Sequence, residues 1–244
     1  MSRREHRAIW LRAWHFELLV LAAIVLAGAL THLASTVLYF PIDVEITRAV
    51  QRVESPSVLQ LFQLVSWIGF PPRSNVIFGG VILGLFVFGW RLEALMTAVA
   101  ALGSAGLWYL IAGFVGRPRP SPDMVHVAMQ LPSGSFPSGH VLNLTAIFGF
   151  LMYLTIVHSA DTRWRALLAV LLALPIVTIG PARVYEGAHW PSDALGGYLI
   201  GGIWLALTIR AYRWARRRRD DTRDAPDAAE AERIRKPPTP VRLA

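Results

Sequence analysis

The sequence predicts an all-α membrane protein with six transmembrane helices, and three observations support that fold class. Hydrophobic residues make up 54% of the 244 residues, charged residues only 16%, and the mean hydropathy is +0.44. This composition lies outside the range of ordinary soluble domains. Six apolar runs reach or approach the roughly 20 residues that cross a bilayer core. Arginines cluster before the first run and after the last one, as is typical of segments that stay in the cytoplasm.

The first apolar run, residues 18–40, is the clearest because His32 is its only titratable residue. It is too long for the core of a signal peptide, and no convincing cleavage site follows it, so we expect a retained anchor. Several of the other runs are short, and their apolar flanks must complete the span. These five predicted spans cover residues 74–90, 94–115, 141–157, 166–182 and 194–209.

A connecting segment, residues 41–73, separates the first two predicted spans. Ser55 followed by Pro56 is typical of a helix start, with a capping residue before a first-turn proline. Apolar residues then recur at helical spacing, beginning at Val58. This pattern predicts an amphipathic helix that lies in the membrane interface.

The basic residues indicate orientation and do not indicate nucleic-acid binding, although the net charge is +8. Six spans place both termini on one side, and the positive-inside rule makes that side cytoplasmic. Anionic lipid headgroups are the expected partners of these charges. We therefore predict a multi-pass protein of the cytoplasmic (inner) membrane. It divides into a basic segment (1–15), a membrane domain (16–219) and a disordered, charged, proline-rich tail (220–244).

Three motifs carry the chemistry of the chain. They are Arg119 with Pro120, the tetrapeptide at residues 137–140 (Pro-Ser-Gly-His), and Arg183 followed by His189 and Asp193. The predicted topology places all three on the outer face of the membrane. Motif matches that arose by chance would not be expected to share one face. Together they supply imidazoles, a carboxylate and guanidinium groups at one place.

These residue types suit the binding and transfer of a phosphoryl group. The guanidinium groups of Arg119 and Arg183 can each grip two phosphate oxygens. Ser138 and Gly139 stand at the predicted start of a helix, where free backbone N–H groups favour an anion and glycine permits close approach. The chain has no cysteine, which excludes disulfides, thiolate metal sites and thiol catalysis.

The three motifs together resemble the signature of the type 2 phosphatidic acid phosphatase superfamily, which comprises membrane lipid phosphatases. The resemblance covers roughly residues 18–211 and implies that family's helical-bundle fold. It further implies that His189 is the nucleophile and forms a phosphohistidine. Asp193 would accept the proton of one ring nitrogen of His189, and His140 would protonate the departing lipid oxygen. Residues four apart share a helix face, so the spacing of His189 and Asp193 permits this contact. Pro191 disfavours helix at Trp190, so we expect His189 just before the helix and Asp193 in its first turn.

One departure from the family pattern affects the phosphate site. The first motif of the family is K-x6-R-P, and Ala112 occupies the lysine position. Arg117 and Arg73 are the possible substitutes for the missing charge, and the sequence does not choose between them. Ala182 also stands where the family usually has serine, which is a lesser change.

No metal or other cofactor is expected, because no H-E-x-x-H or comparable ligand spacing is present. His126 lies in the loop between the first two motifs but matches neither, so its role stays open. Glu186 could pair with Arg183 or Arg117.

The expected function is a metal-independent phosphatase of membrane lipid phosphates or pyrophosphates at the outer leaflet. The composition resembles that of bacterial proteins, which slightly favours undecaprenyl pyrophosphate over other lipid phosphates. Two alternatives stay open: a lipid phosphotransferase that passes the phosphohistidine to an acceptor, and a catalytically weak lipid-binding or transport protein with the same fold. The sequence does not indicate an oligomeric state.

Overall fold

The computed structural model describes residues 3–128, 130–132 and 134–235, and every regular element in these ranges is a helix. In chain order the helices are α1 (Arg3–Thr36), α2 (Pro41–Val50), α3 (Pro56–Gly69), α4 (Arg73–Val87), α5 (Arg91–Val115), α6 (Gly139–His158), α7 (Thr162–Tyr185) and α8 (Pro191–Arg235). No strand occurs within the described ranges. The all-α prediction is therefore confirmed.

Five of the helices, α1, α5, α6, α7 and α8, are long and apolar enough to cross a membrane. The second predicted span, residues 74–90, corresponds to α4, whose 15 residues are too few to cross alone. Helices α3 and α4 meet the criterion only together, and they are bent by 68° where Pro71 and Pro72 interrupt the helix. The described part of the chain thus contains five candidate spans, or up to six if this bent pair forms one.

The start of α3 agrees with its sequence signal, because the helix begins at Pro56 with Ser55 as the preceding residue. Its apolar face packs inward through Phe62 and Val65, which are buried. This segment therefore contributes to the protein core as well as to the connection between α2 and α4.

Helix α5 ends at Gly116, which adopts the left-handed conformation with φ of 59°. The N–H group of Gly116 bonds to the carbonyl oxygen of Ala112 and closes the last turn. Glycine is needed here because a left-handed backbone is costly for residues with a Cβ atom. The chain leaves the helix axis at this point, so Arg117 and Arg119 do not continue the helical face of α5.

Helix α6 lies at the centre of the bundle and packs closely against α8. Two glycines of α8, four residues apart, allow the approach: a Cβ atom at Gly197 would lie 2.9 Å from the Ser138 carbonyl oxygen, and one at Gly201 would lie 2.8 Å from that of Leu142. Small residues at this spacing permit close helix contacts in membranes. The packing brings the start of α6 against the start of α8.

A tyrosine of α8 forms hydrogen bonds with the backbone of α7 beside Pro181. Pro181 lies inside α7 and has no N–H group to donate. The Tyr198 hydroxyl donates to the Ile176 carbonyl oxygen at 2.7 Å and accepts from the Gly180 N–H group at 3.1 Å. A regular helix would join that donor and acceptor directly. The last turn of α7, which carries Arg183, is therefore tied to α8.

The far end of α8 differs from the prediction for the tail. The helix continues through Arg235, past residue 220, where the sequence predicts a disordered tail. Residues 220–235 include several alanines and arginines, which favour helix. The charge and proline content of the tail concealed this preference. Residues 236–244 lie outside the described part of the chain, and the other domain boundaries stay predictions.

Candidate active site at one end of the bundle

The three sequence motifs meet at one end of the bundle, which we call the motif end and define by Arg119, His140, Arg183 and His189. Arg119 follows α5, His140 lies in the first turn of α6, Arg183 lies in the last turn of α7, and His189 precedes α8. Nη1 of Arg119 lies 3.2 Å from Nε2 of His189. The His140 ring interacts electrostatically with Arg183, His189 and Arg119. The fold thus gathers residues that are separated by up to 70 positions in the chain.

The tautomer of His189 follows from its two ring contacts. Nδ1 lies 2.7 Å from the carbonyl oxygen of Ser135, which can only accept, so Nδ1 carries the proton. Nε2 faces a guanidinium nitrogen of Arg119, which can only donate. Both contacts select the same tautomer and leave the Nε2 lone pair on the side of Arg119. Burial lowers the pKa of His189 to about 4, so the ring is neutral at pH 7.

The contact of Asp193 with His189 is a long one, and the shorter contacts of this carboxylate go to other residues. Its Oδ2 atom lies 3.9 Å from Nδ1 of His189, beyond hydrogen-bond distance. Oδ2 instead accepts hydrogen bonds from the Ser135 hydroxyl and from the Trp190 N–H group. Asp193 caps the N–H group of Trp190 because it stands in the first turn of α8. Ser135 therefore connects the carboxylate to the imidazole, with its hydroxyl on Asp193 and its carbonyl on His189.

Arg119 is held by main-chain carbonyl groups on two sides of the site. Nη1 donates to the carbonyl oxygen of Ala188, and Nη2 donates to that of Gly134 at 3.2 Å. Burial and the charge of Arg183 lower the pKa of Arg119 to about 10, so it remains a cation at neutral pH. The backbone contacts fix the guanidinium beside the Nε2 atom of His189.

Buried donors at the motif end lack partners among the described residues. Nε and Nη2 of Arg183, Oγ of Ser138 and Nε2 of His140 make no hydrogen bond, although all four atoms are inaccessible to solvent. Only Nη1 of Arg183 is paired, with Glu186. An unsatisfied buried donor costs about 1–3 kcal/mol, so a cluster of them indicates a site for an acceptor. The free N–H groups at the start of α6 favour an anion at the same place.

Glycines allow the close approach of helices around the α6 start. A Cβ atom at Gly139 would lie 2.9 Å from Nε1 of Trp108 on α5, and one at Gly69 would lie 2.6 Å from the His140 ring. The Phe70 ring packs 5.5 Å from the His140 ring. His140 is thereby held between the end of α3 and the start of α6.

Two cavities border the motif end. The first, of about 550 Å³, extends from His140 between α4, α5 and α6 and has a mainly apolar lining that includes Phe78 and Leu102. The second, of about 430 Å³, is more polar, and its lining includes Arg73 and Arg183. An alkyl chain fits the character of the first cavity, and a charged group fits that of the second.

The structure separates the two candidate substitutes for the missing lysine. Ala112 is buried in the last turn of α5. Arg117 lies behind Asp193: Nη1 donates to Asp193 at 2.7 Å, and Nη2 donates to Asp43 at 3.0 Å. Its charge is therefore already engaged by carboxylates. The Arg73 guanidinium lies 5.0 Å from the ring centroid of Trp67 and lines the same cavity as Arg183.

Three residues that form hydrogen bonds with Arg117 or Asp193 were missed in the sequence. They are Ser135, Asp43 and Ser192. Ser135 stands three positions before Ser138, and no spacing rule marks such a residue. Asp43 had a usable signal, because a carboxylate close to the end of an apolar run is costly unless it has a partner. Ser192 lies inside the third motif, at a position that the motif leaves unspecified.

Two further expectations concern ligands and His126. The described residues contain no group of three or more His, Cys, Asp or Glu side chains that could hold a metal ion. The main chain of His126 bonds to the Gln51 side chain, with distances of 3.1 Å and 2.7 Å. Its ring is exposed, so His126 contributes a backbone anchor to the loop.

Sequence comparison with protein families gives one match, and individual relatives support it. The profile described as PAP2 superfamily matches residues 93–217, just over half of the chain. Phosphatidylglycerophosphatase B of Bacillus subtilis (strain 168) is 24% identical over 170 residues, which cover 68% of this chain and 80% of that protein.

Two further relatives match shorter stretches. Lipid A 4'-phosphatase of Bacteroides thetaiotaomicron is 34% identical over 118 residues, 44% of this chain and 48% of that protein. The putative undecaprenyl-diphosphatase YbjG of Escherichia coli (strain K12) is 44% identical over 86 residues, 32% of this chain and 39% of that protein. The aligned stretches thus span about half or less of these two relatives.

Two solved structures are similar in fold. The crystal structure of a transmembrane PAP2-type phosphatidylglycerolphosphate phosphatase from Bacillus subtilis superimposes with a TM-score of 0.64 at 19% identity, covering 75% of this chain and 92% of that chain. The crystal structure of LpxE from Aquifex aeolicus gives a TM-score of 0.57 at 24% identity, covering 70% and 96%. The arrangement of helices is therefore shared with transmembrane phosphatases.

Proposed function

Because this chain belongs to the PAP2 superfamily, we propose that it is a metal-independent phosphatase of membrane lipid phosphates or pyrophosphates that acts through a phosphohistidine on His189. One observation carries the proposal above all others. The unprotonated Nε2 atom of His189 lies beside Arg119, in a pocket where buried polar atoms of Arg183, Ser138 and His140 have no partner among the described residues.

In the first step, Nε2 of His189 attacks the phosphorus atom of the substrate. The bond between phosphorus and the lipid oxygen breaks, and His140 gives the proton of its Nε2 atom to that oxygen. The phosphoryl group takes the place of the Arg119–His189 contact, so Arg119 turns its donors to the phosphate oxygens. Arg183, Ser138 and the first N–H groups of α6 bind the remaining oxygens.

In the second step, a water molecule attacks the phosphohistidine. His140 takes a proton from the water, the bond from phosphorus to Nε2 of His189 breaks, and inorganic phosphate leaves. The Ser135 carbonyl keeps the Nδ1 proton in place through both steps. Each fixed donor that meets transition-state charge contributes a factor of about 10²–10³ in rate.

The site supports a lipid substrate but leaves its headgroup open. The apolar cavity of about 550 Å³ beside His140 suits an alkyl or prenyl chain. Relatives are named for phosphatidylglycerophosphate, lipid A and undecaprenyl diphosphate, and the cavity does not distinguish among these lipids. We keep undecaprenyl pyrophosphate as the first substrate to test.

We further propose that the motif end faces the outside of the cytoplasmic membrane and that both termini lie in the cytoplasm. The arginines of the second half of α8 and those at the starts of α5 and α7 lie at the opposite end of the bundle, as the positive-inside rule requires. The chain has no cysteine, so single cysteines can report the orientation.

The activity is tested on protein purified in detergent, with phosphate release measured for a panel of lipid phosphates and diphosphates. Turnover should survive EDTA, and vanadate should inhibit, because it mimics a five-coordinate phosphoryl group. Complete loss with EDTA that Mg²⁺ restores would overturn the mechanism. Turnover that requires an added acceptor would instead identify a phosphotransferase, and binding without turnover would identify a lipid-binding protein.

The orientation is tested by thiol labelling in intact cells. The Ser121→Cys variant should react with a membrane-impermeant reagent, since Ser121 follows the first motif. The Ser159→Cys variant should not react, because Ser159 caps the far end of α6. The reverse pattern would move the site to the cytoplasm and exclude outer-leaflet substrates.

A further inference from the structure

Arg117 is among the most completely buried side chains of the protein, and no sequence motif accounts for it. It is 1% exposed, its guanidinium packs on the Phe40 ring, and it forms hydrogen bonds with four other residues. Nε donates to the carbonyl oxygen of Leu38 at 3.1 Å, and Nη1 donates to the Ser192 hydroxyl at 2.7 Å. The other two contacts are the bonds to Asp193 and Asp43 described above.

Asp43, which α2 contributes, completes this network. Its Oδ1 atom accepts the backbone N–H group of Ser192 at 2.9 Å, and Oδ2 accepts the Ser192 hydroxyl at 2.6 Å. Asp43 is 2% exposed. A carboxylate on a first-turn N–H group stabilises a helix start. Asp43 thus anchors both Arg117 and the beginning of α8.

The network reaches His189 through Ser135 by two routes. Arg117 binds Asp193, whose other oxygen accepts from the Ser135 hydroxyl. The main-chain carbonyl of Arg117 also accepts the N–H group of Ser135 at 2.7 Å. Ser135 in turn holds the Nδ1 proton of His189.

We propose that Arg117, anchored by Asp43, is a positioning residue that orients Asp193 and Ser135 so that His189 keeps its Nδ1–H tautomer. Helix α2 then contributes to the active site through Asp43, which holds Arg117. This inference rests on the proposed function, in which Nε2 of His189 is the nucleophile. It assigns Arg117 a role other than replacing the lysine that Ala112 lacks.

The test compares Arg117→Lys and Asp43→Asn with wild type and with Arg48→Met as a matched control. Arg48 also connects α2 to another segment, because its guanidinium donates to the carbonyl oxygen of Met124. These hydrogen bonds do not involve Arg117 or Asp193. Both network variants should lose about a hundredfold in kcat, the usual cost of a misplacement near 1 Å. Inhibition by inorganic phosphate should stay within about threefold of wild type, because Arg119 and Arg183 are unchanged. Arg48→Met should match wild type.

A second measurement does not depend on turnover. Ring ¹⁵N NMR of histidine-labelled protein, with the His189 signal identified by its loss in His189→Ala, reports the tautomer directly. Wild type should show protonated Nδ1, and both network variants should show a mixture of tautomers. If wild type releases no phosphate from any substrate, the proposed function fails while this measurement still decides the positioning role.

Two outcomes would overturn the inference. One is a wild-type tautomer together with weakened phosphate inhibition in Arg117→Lys, which would make Arg117 a phosphate ligand. The other is wild-type turnover and tautomer in Asp43→Asn, a nearly isosteric variant chosen in case Arg117→Lys fails to fold.

Discussion

Two polar clusters lie at the two ends of the bundle, and they differ in how far their hydrogen bonds are satisfied. The opposite end contains Glu93, His158 and Tyr212, contributed by α5, α6 and α8. The Tyr212 hydroxyl donates to Glu93 at 2.8 Å and lies 2.8 Å from Nε2 of His158. Along α8, Tyr212 is about 29 Å from Asp193.

The motif end also contains histidine and carboxylate side chains, but some of its buried polar atoms have no partner among the described residues. Arg183, Ser138 and His140 each keep at least one buried polar atom without a partner, whereas Glu93, His158 and Tyr212 keep none among the described residues. A satisfied cluster fastens helices together, and an unsatisfied one is incomplete without a ligand. Both ends contain histidine and a carboxylate, so residue types alone do not distinguish a catalytic site from a structural contact.

The largest expected difference between the ends is in catalysis. His189→Ala should reduce phosphate release by several orders of magnitude, because it removes the attacking nitrogen. His158→Ala should keep activity near that of wild type, since His158 lies at the other end of α6. Steady-state assays on matched preparations measure both, with the elution profile from size exclusion as the control for folding. Wild-type turnover by His189→Ala would remove the basis for the nucleophile.

The next largest effect is a change in kcat/KM that depends on the positive charge missing at Ala112. Arg73→Ala should lower kcat/KM about tenfold if Arg73 supplies part of the absent charge, since one exposed cation contributes less than a buried one. Ala112→Lys should raise kcat/KM, by up to about a hundredfold. The double variant should retain the gain. If neither single change alters kcat/KM, the phosphate pocket is not short of a cation.

A smaller effect follows from the protonation of His189. Its pKa is lowered from 6.5 to about 4, and the neutral form is the one that attacks. The nucleophile is therefore competent above about pH 4, and the competent fraction falls tenfold for each pH unit below that value. Titration of the ring by ¹⁵N NMR, in protein without substrate, separates this pKa from that of the phosphate. A midpoint near 6.5 would contradict the buried environment.

The smallest effect on activity is expected at the opposite end. Tyr212→Phe removes the hydrogen bond to Glu93 and should cost about 1–3 kcal/mol of stability. For a chain of this size that lowers Tm by about 2–4 °C per kcal/mol. Phosphate release below the transition should be unchanged. Thermal unfolding in detergent, beside the activity assay, tests both statements.

The spans and the motif residues could be predicted because each depends on local sequence. Apolar runs mark the helices that contact lipid, and Arg119, His140, Arg183 and His189 follow fixed spacings. The network of Asp43 and Arg117 could not be predicted in the same way. Its members are 74 positions apart, and only the folded chain shows that Gly116 turns Arg117 towards α2.

The position of His189 relative to α8 could be predicted, because Pro191 disfavours helix at Trp190, and α8 does begin at Pro191. The contacts of Ser135 with both Asp193 and His189 could not be predicted, because Ser135 belongs to another segment of the chain. Two features of the fold were also not predicted from composition. They are the bend between α3 and α4 and the continuation of α8 as a helix to Arg235.

The charged residues at the motif end have a consequence for the protonation state of the substrate. Arg117, Arg119 and Arg183 face Asp43, Asp193 and Glu186, so the formal charges of these six buried or half-buried residues cancel. Arg73 adds one positive charge at the cavity that it shares with Arg183, so a phosphate monoanion is compensated there, whereas a dianion leaves one charge uncompensated in a medium of low polarity. Phosphate monoesters gain their second charge near pH 6. The site should therefore favour the singly charged ester, and a lysine at position 112 should extend turnover towards higher pH.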